Sequence, residues 1–466
     1  MGLNLFIAVI CVVVALLLTF LTIRFFFGAR ARATDAETGA FRDQPEQEPV
    51  HAGDTLRTRR SDNAASIRLL TTQVVVAAVL TLLVIIPDLL HMMRPSIVPG
   101  WLIAPWLHAI IITPVMFYSG YPIHIDGWSA IRRRVPNMNS LASVGSGAAY
   151  VYSLLVCFAE DLLPDSMHDV YFQVTGVIIT LVLLARLMSD RWLPRRAAFP
   201  LQTKVDRLSR ILVPIVFLIA VWTFVVWLIF GRQPAFARAL LIAIGVLIIA
   251  CPVALGWAAP LAATFATDRA RRAGMRVLTT SALQQAQDVR AVVFSSTLAD
   301  ASRETIDALL DAGLGVDVVD ASDTDDAVRR IGERRAKLDI DGDDAALLFV
   351  GDGHEDVAVR NAADIAVVVT KDADADFVHA DVVTDEPGGT CVPQLIRLSK
   401  AMVRNIQENA IWAFVFNLIG IPIAAGVLYP FTGWTLDPSL AGLAMFLSSL
   451  AVLLNALRLR HAHIDR

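Results

Sequence analysis

Cysteine is scarce in this chain. The four, Cys11, Cys157, Cys251 and Cys391, fall in separate elements with no paired spacing, which excludes a disulfide framework and a zinc site built on neighbouring thiolates. A basic face interleaved with aromatic residues is also lacking, so no nucleic-acid partner is expected. Over residues 28–68 large apolar side chains are nearly missing, and Asp, Glu, Arg, Thr and Gly dominate. Such a stretch cannot bury enough surface to fold alone, and it reads as a disordered cytoplasmic linker.

Hydrophobic residues make up 56% of the 466. That is too apolar for one soluble domain, and one charged block keeps the chain from lying wholly in lipid. Apolar runs able to cross a hydrocarbon core, which takes about 20 residues, occur near 3–26, 69–91, 101–119, 140–159, 169–188, 211–230, 238–262, 409–428 and 437–457. Arg24, Arg30 and Arg32 follow the first run and no cleavage site does, so residues 1–27 read as an uncleaved transmembrane anchor with its amino end outside. Arg57 to Arg60, Arg132 to Arg134, Arg191 to Arg210, Arg269 to Arg276 and Arg458 to Arg460 then all fall inside, while Glu160 to Asp165 fall outside. The charge bias agrees with nine spans.

Between the seventh and eighth spans the pattern changes to apolar strands near 291, 315, 346, 365 and 381, with helical stretches at Arg303 to Ala312 and Asp325 to Lys337. This alternation predicts βα units of one parallel sheet. The expected fold is a polytopic α-helical membrane protein of about nine transmembrane helices carrying one cytoplasmic doubly wound α/β module. Its segments are the anchor 1–27, the linker 28–68, a membrane domain 69–262, the α/β module 263–408, two further spans in 409–460 and a cytoplasmic tail 461–466. A multi-pass protein of the cell (inner or plasma) membrane is the expected localisation.

Several motifs carry chemistry. Cys251-Pro-Val-Ala-Leu-Gly-Trp-Ala-Ala-Pro260 places a thiol beside a proline inside an apolar span, where proline frees backbone carbonyls; a lone cysteine there is either packing or a ligand. Thr267 to Gly274 and Ala291-Val-Val-Phe294 follow, and the strand ends in Ser295-Ser296-Thr297-Leu298-Ala299. Gly351-Asp352-Gly353-His354-Glu355-Asp356 closes a later strand. These stretches, with Asn137 to Leu141, Tyr171-Phe172-Gln173, Phe416-Asn417, Ile421 to Pro430 and Met445-Phe-Leu-Ser448-Ser449, resemble the heavy-metal-transporting, copper/silver-type (P1B) P-type ATPases over roughly residues 69–460.

The resemblance implies a HAD-like remnant of the family's phosphorylation domain, and it exposes what is missing. The family's strand ends in D-K-T-G-T, so Ser295, Ser296 and Thr297 stand at a degenerate phosphorylation position. Only a carboxylate forms the reactive acyl-phosphate; a serine would give a stable ester. Asp352 and Asp356 match the family's hinge G-D-G-x-N-D, whose first aspartate binds Mg²⁺, but the asparagine is Glu355. Asp352 therefore reads either as a turn residue between glycines or as the ligand of an idle Mg²⁺. Ser189 to Arg210 span 22 residues, too few for the family's actuator domain, and the 57 residues from Ser295 to Gly351 are filled by βα units, leaving nothing for a nucleotide-binding domain. No Cys-x-x-Cys motif lies in the linker, so metal delivery by that route is not expected. No cofactor is required.

For the membrane the resemblance implies a weakened Cu(I) site of Cys251, Asn417, Met445 and Ser449, with Val253 and Phe416 replacing the family's second cysteine and tyrosine. Cu(I) prefers two or three sulfurs. Met138 and Asp206 stand at its inward-side ligand positions, where they read equally as interface packing and as a helix amino-terminal acid; Ser189 and Gln173 replace carboxylates. Gly120 to Gly127 would permit the kinked platform on which a copper chaperone docks in the family, or form an ordinary loop. His461 and His463, and the acid runs Asp317 to Asp326 and Asp339 to Asp344, read as solvated. The expectation is a catalytically degenerate scaffold within the bilayer, bound to a protein partner in the membrane; the alternatives are an ATP-independent Cu(I) conduit or donor, and an active pump with its missing domains supplied in trans.

Overall fold

The computed structural model describes residues 12, 13, 15–17, 19, 20, 52–94, 96, 98–158, 168–192, 200–232, 234–251, 253–340, 345–371 and 379–463. Cys11, most of the anchor, the linker up to residue 51, the loop at Glu160 to Asp165 and Asp341 to Asp344 lie outside them. The chain divides into two compact units, one of residues 1–189, 203–256 and 412–450, the other of residues 190–202, 257–411 and 451–466.

The first unit is helical. Its elements are α1 (Ala52–Met93), α2 (Pro105–Pro114) running into a π-turn (Val115–Ser119), α3 (Tyr121–Arg132), α4 (Met138–Phe158), α5 (Phe172–Trp192), α6 (Pro200–Phe230), α7 (Ala235–Ile249) and the start of α8 (Val253–Arg272). Among the described residues, six helices are long and apolar enough to cross a membrane: Ser66–His91, Met138–Phe158, Phe172–Asp190, Arg210–Phe230, Cys391–Ala424 and Pro438–His461. Small residues let these helices approach closely. A Cβ on Gly176 would sit 2.5 Å from Thr81 Oγ1, and one on Gly420 2.8 Å from Ile249 Cδ1.

Three expectations need correction here. The linker is helical from Ala52 onward. A helix nucleated in the apolar run extends cheaply through Leu56, Arg57 and Ala64, since propagation adds one hydrogen bond per residue fixed. The apolar run 238–262 is not one helix but α7 and α8, broken at Ala250 and Cys251 where Pro252 follows and cannot donate a hydrogen bond. The stretch 101–119 is a short α2 with its π-turn, and Gly120 then admits α3 with Pro122 in its first turn.

The second unit holds β1 (Met275–Val277), α9 (Thr280–Gln285), β2 (Val289–Ser295), α10 (Ser296–Ala299), α11 (Arg303–Asp311), β3 (Gly315–Val319), α12 (Thr324–Ile340), β4 (Ala346–Gly351), α13 (Val357–Asn361), β5 (Ile365–Val369) and β6 (Val382–Thr384). The remaining helices, α14 (Cys391–Ala424), the short α15 (Tyr429–Thr432) and α16 (Pro438–Leu457), complete the chain. The sheet order is β1-β6-β5-β4-β2-β3. All neighbouring pairs are parallel except β1 with β6, so the expected all-parallel sheet is mixed. Three residues are too few to signal a strand, yet β1 covers an edge that would otherwise stand open.

Strands β4 and β5 are buried at every position, as continuous apolar runs must be when helices cover both faces. Val293, Leu347 and Phe349 pack with Val319, Ala327, Ile331 and Val359 in the core. From β2 the chain steps outward to β3 and then returns to β4 on the other side, so the carboxyl ends of β2 and β4 flank a topological switch point. Open α/β sheets place their sites in that crevice.

Candidate functional site

Ser295 ends β2, one residue past the Phe294 to Val350 pairing, which sets it beside Gly351 at the end of β4. It is fully buried, and its Oγ lies 3.0 Å from Thr297 Oγ1. Ser296 and Thr297 are exposed on α10. A hydroxyl thus stands at the carboxyl end of β2, paired with a second hydroxyl.

Across the crevice the loop after β4 is folded onto one carboxylate. Glu355 accepts hydrogen bonds from the backbone N–H of Asp352 at 2.7 Å and of Gly353 at 2.9 Å. Its side chain is 4% exposed, with the Arg360 guanidinium, 0% exposed, 4.0 Å away. Arg360 also donates to the Glu355 carbonyl at 3.0 Å. Gly351 makes room for this arrangement, because a Cβ there would lie 2.1 Å from Glu355 Oε1. Gly353, at φ 88°, takes the left-handed backbone that lets two successive N–H groups converge.

Such converging N–H groups are what a phosphate would use, and here a buried carboxylate holds them. Asp352 and Asp356 serve the loop as well: Asp352 Oδ1 accepts from His354 N at 3.0 Å, and Asp356 caps α13 by accepting from Ala358 N at 2.8 Å. Mg²⁺ demands near-octahedral oxygen ligands with freely offered carboxylates. The residues present do not fit it: both Glu355 oxygens are engaged, Asp352 and Asp356 each spend one on a turn, and the strand opposite offers a hydroxyl. Among the described residues no group of three or more His, Cys, Asp or Glu is placed to hold a metal ion.

In the helical unit, Cys251 sits buried in the gap between α7 and α8. Its N–H still reaches Ile248 O at 3.1 Å, and the chain resumes as Val253 N donates to Cys251 O at 2.9 Å. Asn417, on α14, donates its amide to Ala250 O at 3.4 Å, which ties that helix to the break. Met138, first residue of α4, packs on α8: a Cβ on Gly256 would meet its Cε at 2.8 Å and its sulfur at 3.9 Å. Met445 and Ser449 are buried one turn apart on α16, the Ser449 hydroxyl donating to Met445 O at 3.1 Å. The Asp206 side chain lies outside the described residues. The buried Cys251 thiol and the Asn417 amide of α14 therefore stand at the break, the part-buried Met138 thioether of α4 lies against Gly256 on α8, and a second thioether and a hydroxyl are buried on α16.

One polar cluster was not expected from the sequence. Tyr171 OH donates to Asp437 Oδ2 at 3.1 Å, and Asp437 Oδ1 accepts from Ser439 N at 2.7 Å at the start of α16. Gln173 donates to Ser439 Oγ at 3.5 Å, while its own Oε1 is buried without a hydrogen-bond partner. The signal was available as Asp437-Pro438, an acid followed by proline at a helix start. His461 and His463 are exposed. Asp317 pairs with Arg334 at 2.9 Å.

No protein-family model matches the chain. It is 24% identical to copper-transporting ATPase 1 of Rhizobium meliloti over 659 aligned positions, which take in 84% of this chain and 79% of that one. Because 659 exceeds the 466 residues available, that alignment carries long gaps on this side. It is 39% identical to a copper-transporting ATPase of Helicobacter pylori over 152 residues, 32% of this chain and 20% of the other. Among solved structures, a zinc-transporting PIB-type ATPase in its E2.Pi state matches with a TM-score of 0.61 at 14% identity, covering 83% of this chain and 99% of that one.

Proposed function

Because the chain belongs to the heavy-metal P-type ATPase family, we propose that it is a membrane-embedded pseudo-ATPase, a pump scaffold that no longer couples ATP to transport. The observation that carries this is Ser295 at the carboxyl end of β2 facing a loop whose N–H groups are taken by Glu355. A P-type cycle needs an acyl-phosphate, and serine cannot form one. Residue 296, which would be a lysine neutralising phosphoryl charge, is an exposed serine.

The chain lengths support the same reading. Only residues 193–199 separate α5 from α6, and α10, α11, β3 and α12 occupy the interval from Ser295 to β4. The long gaps in the copper-ATPase alignment are what loss of an actuator and a nucleotide-binding domain would produce. In this reading the chain crosses the plasma membrane about nine times with its amino end outside. Its α/β module is a HAD-like unit on the cytoplasmic side, and its role is to hold a protein partner in the membrane. Incubation of the purified full chain with γ-labelled ATP tests it: no acid-stable phosphoprotein is expected, and a labelled band would overturn the proposal.

A second reading, an ATP-independent Cu(I) conduit or donor able to take metal from a copper chaperone, is favoured by one observation. Cys251 lies at a helix break tied to Asn417, with Met138 against Gly256 just beyond it. A thiolate and thioethers suit soft Cu(I). If the chain carries Cu(I), stoichiometric metal retained by the wild type is lost in Cys251→Ala; equal retention by both removes this reading.

A further inference from the structure

A cavity of about 1010 Å³ opens among the π-turn, α3 with the residue that follows it, α4 and α7, at the upper end of the roughly 300–1,000 Å³ of small-molecule sites. Paired contacts fix its axis. Helix α3 runs antiparallel along α4, with Ser140 Oγ donating to Gly127 O at 2.9 Å, His124 Nδ1 2.8 Å from Ser143 Oγ, and Gly147 near Met116. One end therefore carries Arg132 and Arg133. The other runs down α4 to Val151 and Leu155, with Ile244 of α7 also in the lining.

From Val144 to Leu155 the helix rises about 16 Å, close to half of the ~30 Å hydrocarbon core and so to the depth of one leaflet. The lining is overwhelmingly apolar away from the arginines. Asp126, the carboxylate of α3, is paired with Arg186 at 2.6 Å, and neither Arg132 nor Arg133 forms an ion pair among the described residues. Trp128, half-exposed, stands at the arginine end, as aromatic side chains do at the level of lipid headgroups. The wall is set in advance: His124 Nε2 lies 3.0 Å from Met116 O, locking α3 to the π-turn.

We propose that this groove binds one anionic phospholipid, an acyl chain lying along α4 and the phosphate held by Arg132 and Arg133. Charge complementarity selects the occupant: an apolar slot of one leaflet's depth ending in two guanidinium groups that form no ion pair among the described residues matches a negatively charged headgroup on an acyl chain.

The full chain, extracted in mild detergent, is offered palmitoyl-oleoyl phosphatidylglycerol or phosphatidylcholine and examined by native mass spectrometry. The wild type should retain phosphatidylglycerol about 30-fold over phosphatidylcholine, the factor that two arginines at a membrane surface are worth. Arg132→Gln with Arg133→Gln should abolish the preference. Gly147→Phe, which points a ring into the groove from a position where a Cβ would meet Met116 Cε at an ordinary 3.8 Å, should abolish retention of both lipids; Ala148→Leu serves the same purpose if that variant folds poorly. Equal retention of the two lipids by the wild type would overturn the proposal. Displacement by inorganic phosphate would mean a soluble anion site, and retention undisturbed by either groove-filling variant would mean that a protein segment covers the groove. Either result also refutes it.

Discussion

Glu355 offers the sharpest structural test, because every contact that buries it can be removed in steps. Its two oxygens each take one backbone N–H, at 2.7 and 2.9 Å, and its charge lies 4.0 Å from a guanidinium with no solvent exposure. In Glu355→Gln the shape is kept, but one N–H then faces an amide that can only donate. Losing one hydrogen bond to a charged group costs about 1.5–3 kcal/mol. Glu355→Ala removes both acceptors and leaves Arg360 buried without a counter-charge, which costs about 3–5 kcal/mol. Urea titration of the full chain in detergent, read by proteolysis of the α/β module, should rank the midpoints wild type, Gln, Ala. A Gln variant within about 0.5 kcal/mol of wild type would refute the claim that the loop is built around two N–H bonds to this carboxylate.

Gly351→Ala should destabilise the module by about 3 kcal/mol, because a Cβ 2.1 Å from Glu355 Oε1 must expel that side chain from its two N–H bonds. Combined with Glu355→Ala it should add little, a non-additivity that a double-mutant cycle measures directly. Burial holds the Asp381 carboxyl above its ordinary range, against the opposing pull of the Thr279 hydroxyl, the Ala366 N–H at 2.9 Å and His379. The folded module therefore binds this proton more tightly than the unfolded chain. The resulting stability is fully present below the ordinary carboxylate value of 3.8 and is lost as pH rises through the raised one. Asp381→Asn should flatten that decline in urea midpoints between acid and neutral pH; a wild-type-to-variant difference constant across pH would contradict it.

How far the sequence could be read depended on the length of each signal. Strands β2, β4 and β5 were legible because their apolar runs are continuous, and α11 and α12 because their period differs from that of the strands. β1 was not, since Met275 to Val277 acquires meaning only through its pairing with β6. The break at Cys251 was half legible: Pro252 marked freed carbonyls, but the apolar run on either side read as one span. Ser295 needed only the motif around it. Glu355 looked like a lost asparagine, and its contacts with the loop N–H groups could be found only in three dimensions, as could the approach of Asn417 to Ala250 and of Tyr171 to Asp437.

The central claim concerns energy coupling, and sealed proteoliposomes containing only the purified chain address it most directly. With Cu(I) outside and Mg²⁺-ATP supplied to the face bearing the α/β module, copper uptake should be the same with and without ATP, and no ATP should be consumed. ATP hydrolysis that rises with copper and drives its accumulation against a gradient would contradict the account.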